Sequence, residues 1–195
     1  MTALTPDGEN VEVLSAVGRF DGFFEVVGVK KPGGGGCWCM SYRDARLNNL
    51  ERPLYMEDEC SREPGPGVLA YVDGEPAGWC SIAPRSSYRR LLHSRTIPIL
   101  DERDAWVAVC FVVRPKFRHQ GLMSILLNGA VEHARAHGAE VVEGYPMESG
   151  TPGQTDVISG YVGTTRMFER AGFERVAETS AHSGGRVRWI MRKEL

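Results

Sequence analysis

The residues best suited to chemistry lie in one short basic stretch. Arg114, Lys116 and Arg118 lead into His119, Gln120 and Gly121, and the chain continues through Leu122, Met123 and Ser124. On the N-terminal side runs an unbroken apolar segment of strand-forming residues, Trp106 to Val113. On the C-terminal side Leu122, Ile125, Leu126, Val131 and Ala134 recur at close to helical spacing. Strand, basic loop and helix start together make an anion site. The first N–H groups of a helix have no intrahelical acceptor, and the helix dipole favours negative charge beside them. A cation such as Arg118 is disfavoured at that end unless an anion sits with it. A phosphate-bearing ligand is therefore expected. The stretch is not G-x-x-x-x-G-K-[ST], so a Walker-type nucleotide site is not expected, and it is not G-x-G-x-x-G, so a dinucleotide fingerprint is not either.

Groups able to move protons lie further along. Val141, Glu143 and Tyr145 share a face of a strand by alternation. A carboxylate in an apolar strand is poorly solvated, which suits it to accept a proton, so Glu143 is the expected general base. Glu148 is a second candidate at the mouth of a cleft, and Tyr161 is a candidate proton donor. The five cysteines, at 37, 39, 60, 80 and 110, are odd in number and make no disulfide framework. Cys37-Trp38-Cys39 has no second Cys or His pair at ligand spacing, so no metal site is expected. It reads instead as a short strand placing two small cysteines on one face.

These residues need elements to position them. Residues 1–10 read as a loose end, Val11–Val13 as a first strand, and residues 19–27 as a helix carrying Phe20, Phe23, Phe24 and Val27. Four glycines at 33–36 read as a surface loop. A helical or irregular segment then reaches about Arg62. Val68 to Ile82 reads as a hairpin about Asp73-Gly74, a two-residue turn signal of the I′ kind. A short helix is expected near residues 88–92. The strand–loop–helix follows, closed by His137-Gly138, with residues 140–145 as the next strand; this is a βαβ unit, right-handed by default. Residues 146–160 read as a long loop, a lid or a substrate rim. A helix from 163 or 164 to 171 and a closing hairpin over 174–192 complete the chain. The order predicts a mixed α/β (α+β) fold with one central twisted sheet flanked by helices, in one domain over 1–195.

Composition agrees with that size and class. The chain has 195 residues, 42% hydrophobic and 25% charged, with a net charge of −2. No basic field draws it to nucleic acid, and no run is apolar enough to span a bilayer. Without a visible signal peptide, the expected location is cytoplasmic.

The loop Arg118-His119-Gln120-Gly121-Leu122-Met123 resembles the acyl-CoA pyrophosphate motif [QR]-x-x-G-x-[GA] of the Gcn5-related N-acetyltransferase (GNAT) family. Its Arg and central Gly match; Met123 stands where the family usually has Gly or Ala. Met167-Phe168-Glu169-Arg170-Ala171-Gly172-Phe173 is similar to the family's helix-then-GF ending. The resemblance covers roughly residues 66–195, with 1–65 divergent. It implies acetyl-CoA as cosubstrate and direct transfer to a primary amine of a small molecule or peptide. It also implies pyrophosphate binding by the backbone of Arg118, His119, Gln120, Gly121, Leu122, Met123 and Ser124. Pantetheine contact falls to the strand backbone of Phe111, Val112 and Val113, where that strand splays from the next. Phe168 occupies the position where the family often has a Tyr that protonates the thiolate. Acceptor contacts are expected from Trp38, Tyr42, Trp79 and Tyr145, with Arg43, Ser81, Arg85 and Tyr88 beside them. Homodimerisation is common in the family. The alternative is an acyl-CoA-binding module with weak or no catalysis.

Overall fold

The computed structural model describes residues 1–29, 31, 33–150 and 159–195. Eight strands form one sheet in the order β1-β2-β3-β4-β5-β6-β8-β7: β1 (Thr2–Leu4), β2 (Asn10–Ser15), β3 (Gly67–Val72), β4 (Glu75–Pro84), β5 (Trp106–Val113), β6 (Val141–Gly144), β7 (Glu174–Ser183) and β8 (Arg186–Glu194). Every pairing is antiparallel except β5 with β6. The helices are α1 (Phe20–Val27), α2 (Glu51–Cys60), α3 (Arg89–Leu92), α4 (Leu122–Ala136), α5 (Ser159–Val162) and α6 (Thr165–Arg170).

Both faces of the sheet are covered. On one, α4 buries Leu122, Leu126, Leu127, Ala130, Val131 and Ala134 against Val11, Val13, Val68, Ala70 and Phe111. This is the apolar stripe read from the helical spacing. On the other, α1 and α2 enclose Phe23, Met56, Leu69 and Trp79, with Phe23 edge-on to Trp79 at 4.8 Å. A third cluster, Tyr88, Leu91, Ile97, Val107, Val109, Tyr145 and Ile190, continues that face. The Asp73-Gly74 turn forms as read, with both residues at positive φ. Thr164 caps α6 by accepting from the Met167 N–H at 3.3 Å.

Three local readings change. Thr2–Leu4 is not a loose end but an edge strand paired with β2. Cys37–Met40 is not a strand. Trp38 and Cys39 have φ of 50° and 55°, and the Met40 N–H bonds the Cys37 carbonyl at 2.9 Å, so this is a tight turn with two left-handed non-glycine residues. A short helix, α5, begins inside the stretch read as a loop, and residues 151–158 of that stretch lie outside the described residues. In the closing hairpin the last strand, β8, inserts between β6 and β7.

Two irregularities in β5 prepare a site. Its ladder with β4 slips between Ser81 and Ile82, leaving Val109 as an extra residue. Its parallel ladder with β6 holds for three pairs, Trp106–Val142, Val107–Glu143 and Ala108–Gly144. β5 then continues to Val113 while β6 ends, so the two strands part at Ala108. Beyond the fork, on the α4 face, Phe168 packs edge-on to Phe111 (6.2 Å) and Phe173 (5.0 Å). Gly144 closes β6 without a side chain because a Cβ there would lie 2.1 Å from the Phe168 ring.

Candidate active site

The loop and the fork form one continuous track. At its far end the turn before α4 is built by backbone conformation. His119 has φ 65° and Gly121 φ 75°, so two left-handed residues flank Gln120. Ser124 N–H is the first to turn back, onto the Gly121 carbonyl at 3.0 Å. The N–H groups of Gly121, Leu122 and Met123 precede that bond and belong to the open helix end. Gly121 is exposed, and a Cβ there would meet nothing within 4 Å; positive φ, not crowding, is what requires glycine.

The three cations of this stretch divide. Arg114 pairs with Glu25 (2.7 Å) and Glu75 (3.0 Å), and Lys116 also pairs with Glu75, so both are neutralised by the neighbouring hairpin and α1. Arg118 is exposed, makes no ion pair among the described residues, and donates from Nε to the Val113 carbonyl at 3.1 Å. It links the anion turn to the end of β5.

Beyond the fork, β5 borders a cavity of about 800 Å³. It is lined by Val109, Cys110 and Val112 of β5, by Trp38, Cys39 and Tyr42, by Leu91 and Ile97, and by Tyr161 of α5. Of the aromatic residues expected to meet the acceptor, Trp38 and Tyr42 are among these. Trp79 and Tyr145 do not: both are fully buried, Trp79 under α1 and Tyr145 behind the wall against Arg85. Arg43 and Tyr88 are likewise buried, tied to Glu59 (2.9 Å) and Ser81 (3.1 Å). Tyr161 is 50% exposed and lies in the cavity, whereas Phe168 has no exposure and packs in the core on the opposite face. Direct contact between the Phe168 side chain and a cofactor does not fit this placement. Phe111 is buried too, so any contact there belongs to its backbone.

Glu143 departs furthest from its expected role. It is 1% exposed and does not reach the cavity. One carboxylate oxygen accepts from Arg85 Nη1 (2.9 Å) and the Tyr145 hydroxyl (2.8 Å), the other from Arg192 Nε (3.1 Å) and Arg192 Nη2. A carboxylate offers about four lone-pair sites, and all are taken. No position remains for a substrate proton. Burial, with the Glu143 charge beside it, pushes the Tyr145 phenol well above its ordinary value, so that hydroxyl stays a donor. Glu148 is also occupied, held by Arg175 at 2.8 and 3.1 Å.

Several wall residues have contacts or placements that the sequence did not show. Cys39 Sγ accepts from the Cys110 thiol and from Trp79 Nε1 (3.0 Å); these contacts lower the Cys39 thiol against the opposing effect of burial. The same contact, with burial, pushes Cys110 well above the usual thiol range. Arg90, His182 and Arg188 also line the cavity. Arg188 shares a strand face with buried Ile190, and a charge in the inward phase of an apolar alternation is the signal that marks it.

Residues 37–151, more than half of the chain, match the Acetyltransferase (GNAT) family. The chain belongs to this family. No curated protein matches it. Among solved structures it is similar to mosquito arylalkylamine N-acetyltransferase like 5b, at 13% identity and a TM-score of 0.57, covering 95% of this chain and 100% of that one. It is equally similar to a GNAT-family acetyltransferase from Listeria monocytogenes 4b F2365, at 14% identity and 0.57, covering all of both chains. A chain of the NatC complex bound to Gag peptide and CoA follows at 10% identity and 0.55, covering 95% and 98%. At these identities the likeness is one of fold, and the shared fold is the single central mixed sheet flanked by helices. Among the described residues no helix is long and apolar enough to cross a membrane.

Proposed function

We propose that this GNAT chain is an N-acetyltransferase that uses acetyl-CoA and acts on a primary amine of a small molecule or peptide. The observation that carries the reading is the fork: β5 leaves β6 after Ala108, and its continuation, no longer paired with β6, joins a cavity at one end to an open helix start at the other. Acetyl-CoA, when bound, supplies an acetyl group already activated as a thioester. The residues present fit it. The backbone N–H groups of residues 119–123, with Arg118, would hold the pyrophosphate; the Ser124 N–H, expected among them, is already bonded to the Gly121 carbonyl. The backbone of Phe111, Val112 and Val113 would take the pantetheine arm as an added strand. A strand N–H left unpaired by the fork would steady negative charge developing on an acyl oxygen.

In this reading Tyr161, which lines the cavity, donates the proton in the role that Phe168 cannot fill. No carboxylate lines the cavity among the described residues, so deprotonation of the acceptor falls to water or to an amine that arrives neutral. Glu143 acts in this reading as a positioning residue that fixes Arg85, Arg192 and Tyr145 behind the wall. The test is release of free CoA thiol from acetyl-CoA with a panel of amines. Amine-dependent thiol release supports the reading. Tight acetyl-CoA binding without thiol release for any amine would leave a binding module instead.

A further inference from the structure

We infer that the acceptor is an amine that also carries a carboxylate and an apolar body, as an apolar amino acid does, and that Arg188 and Tyr42 bind the carboxylate. This rests on the acetyltransferase reading of the cavity and names its substrate class. Arg188 forms part of the cavity wall on β8 and is 7% exposed. Its Nε donates to the Tyr145 carbonyl at 2.7 Å and its Nη1 to the Tyr42 hydroxyl at 2.6 Å, while its Nη2 is buried with no acceptor. A buried guanidinium N–H without a partner is uncommon and costly, and its natural complement is an oxyanion.

The two anchored nitrogens hold the guanidinium plane fixed, with its Cζ 5.9 Å from the Tyr42 ring centroid. Tyr42 receives a hydrogen bond from Arg188, and its own O–H has no acceptor among the described residues. Arg188 Nη2 and the Tyr42 hydroxyl therefore offer two neighbouring donors, a match to the two oxygens of one carboxylate. The surroundings agree in sign. Arg90 and His182 share the wall, and no Asp or Glu does among the described residues. A cavity so lined disfavours a polyamine and favours an anionic acceptor. The rest of the wall, Val26, Val27, Leu91, Ile97, Val109 and Val112, suits an apolar side chain.

The test is calorimetric titration of the full chain, with and without CoA, using matched triplets: phenylalanine, leucine, methionine and tryptophan, each with its amide and its decarboxylated amine. At least one amino acid should bind ten-fold or more tightly than both of its partners. Arg188→Gln should abolish that preference, so that the amino acid binds no more tightly than its amide. Tyr42→Phe removes only a hydroxyl at the cavity wall, and should cut the preference several-fold in a chain that still folds. Amides or amines binding as well as the amino acids, no binding across all triplets, or a preference that survives in Tyr42→Phe and Arg188→Gln would each overturn the inference. Titration of the same sample with acetyl-CoA separates the two readings. Carboxylate preference without acetyl-CoA binding removes the acetyltransferase reading and leaves the subsite, and the converse removes the subsite alone.

Discussion

Replacing Glu143 by Gln should damage stability and leave the chemistry intact. The carboxylate is 1% exposed and accepts from Arg85, Tyr145 and Arg192; the Arg85 side chain beside it is 4% exposed and that of Arg192 11%. Gln keeps the shape but removes the charge and turns one acceptor into a donor, facing two guanidinium groups that cannot deprotonate. Breaking one side of such a buried pair costs about 3–5 kcal/mol. Gln still accepts at one oxygen, so the lower end, about 3 kcal/mol, is expected. For a chain of this size each kcal/mol lowers the melting temperature by about 2–4 °C, so a fall of roughly 6–12 °C is expected. Differential scanning calorimetry reads the fall. The pH profile of turnover, measured well below the lowered melting point, should keep the wild-type shape. A near-normal melting temperature with loss of the acidic, rising limb of that profile would refute the reasoning, because Glu143 would then be exchanging protons with substrate.

Tyr161→Phe should lower kcat by about 100-fold with little change in KM, read by thiol release; an unchanged kcat would remove Tyr161 as proton donor. Phe168→Tyr should not help catalysis, because it places a hydroxyl at the ring tip, against Gly144, in a fully closed core; a loss of about 1–3 kcal/mol is expected in denaturant unfolding, and unchanged stability with raised activity would contradict that placement. Burial, together with His137 beside it, lowers the His133 imidazole to about 4 from an ordinary 6.5, while Glu63 acts weakly the other way. The unfolded chain then binds the extra proton first, so stability is whole above about pH 6.5 and falls by about 3 kcal/mol as pH drops toward 4. His133→Gln should flatten that slope in urea titrations at stepped pH, and an unchanged slope would assign it elsewhere.

Much of this was legible in the sequence because it is local. The Trp106–Val113 run, the loop through Gly121 and the α4 stripe are consecutive, and turn chemistry marked Asp73-Gly74. The fork was also anticipated, but through the family resemblance rather than from the local pattern. What was not legible depends on distant residues meeting. Glu143 looked like a base because alternation placed it in an apolar strand, but its partners lie 58 residues away at Arg85 and 49 away at Arg192. Cys37–Cys39 alternates like a strand, yet Trp38 and Cys39 are held at positive φ by a turn under α1 that local propensity disfavours. The basic loop seemed to bring three free cations, and two of them are claimed by Glu25 and Glu75 from elsewhere in the chain.

The central claim is that the turn before α4 and the forked strand β5 bind acetyl-CoA, and titrating the purified protein with acetyl-CoA in a calorimeter tests it directly, with Gly121→Glu as the companion variant. Glutamate at 121 meets no steric clash but adds negative charge at the pyrophosphate and about 1–2 kcal/mol of left-handed strain, so the variant should fold. Saturable micromolar binding to the wild type at one site per chain, and none to the variant, is expected. A folded wild type that does not bind acetyl-CoA, or a variant that binds equally well, would contradict it.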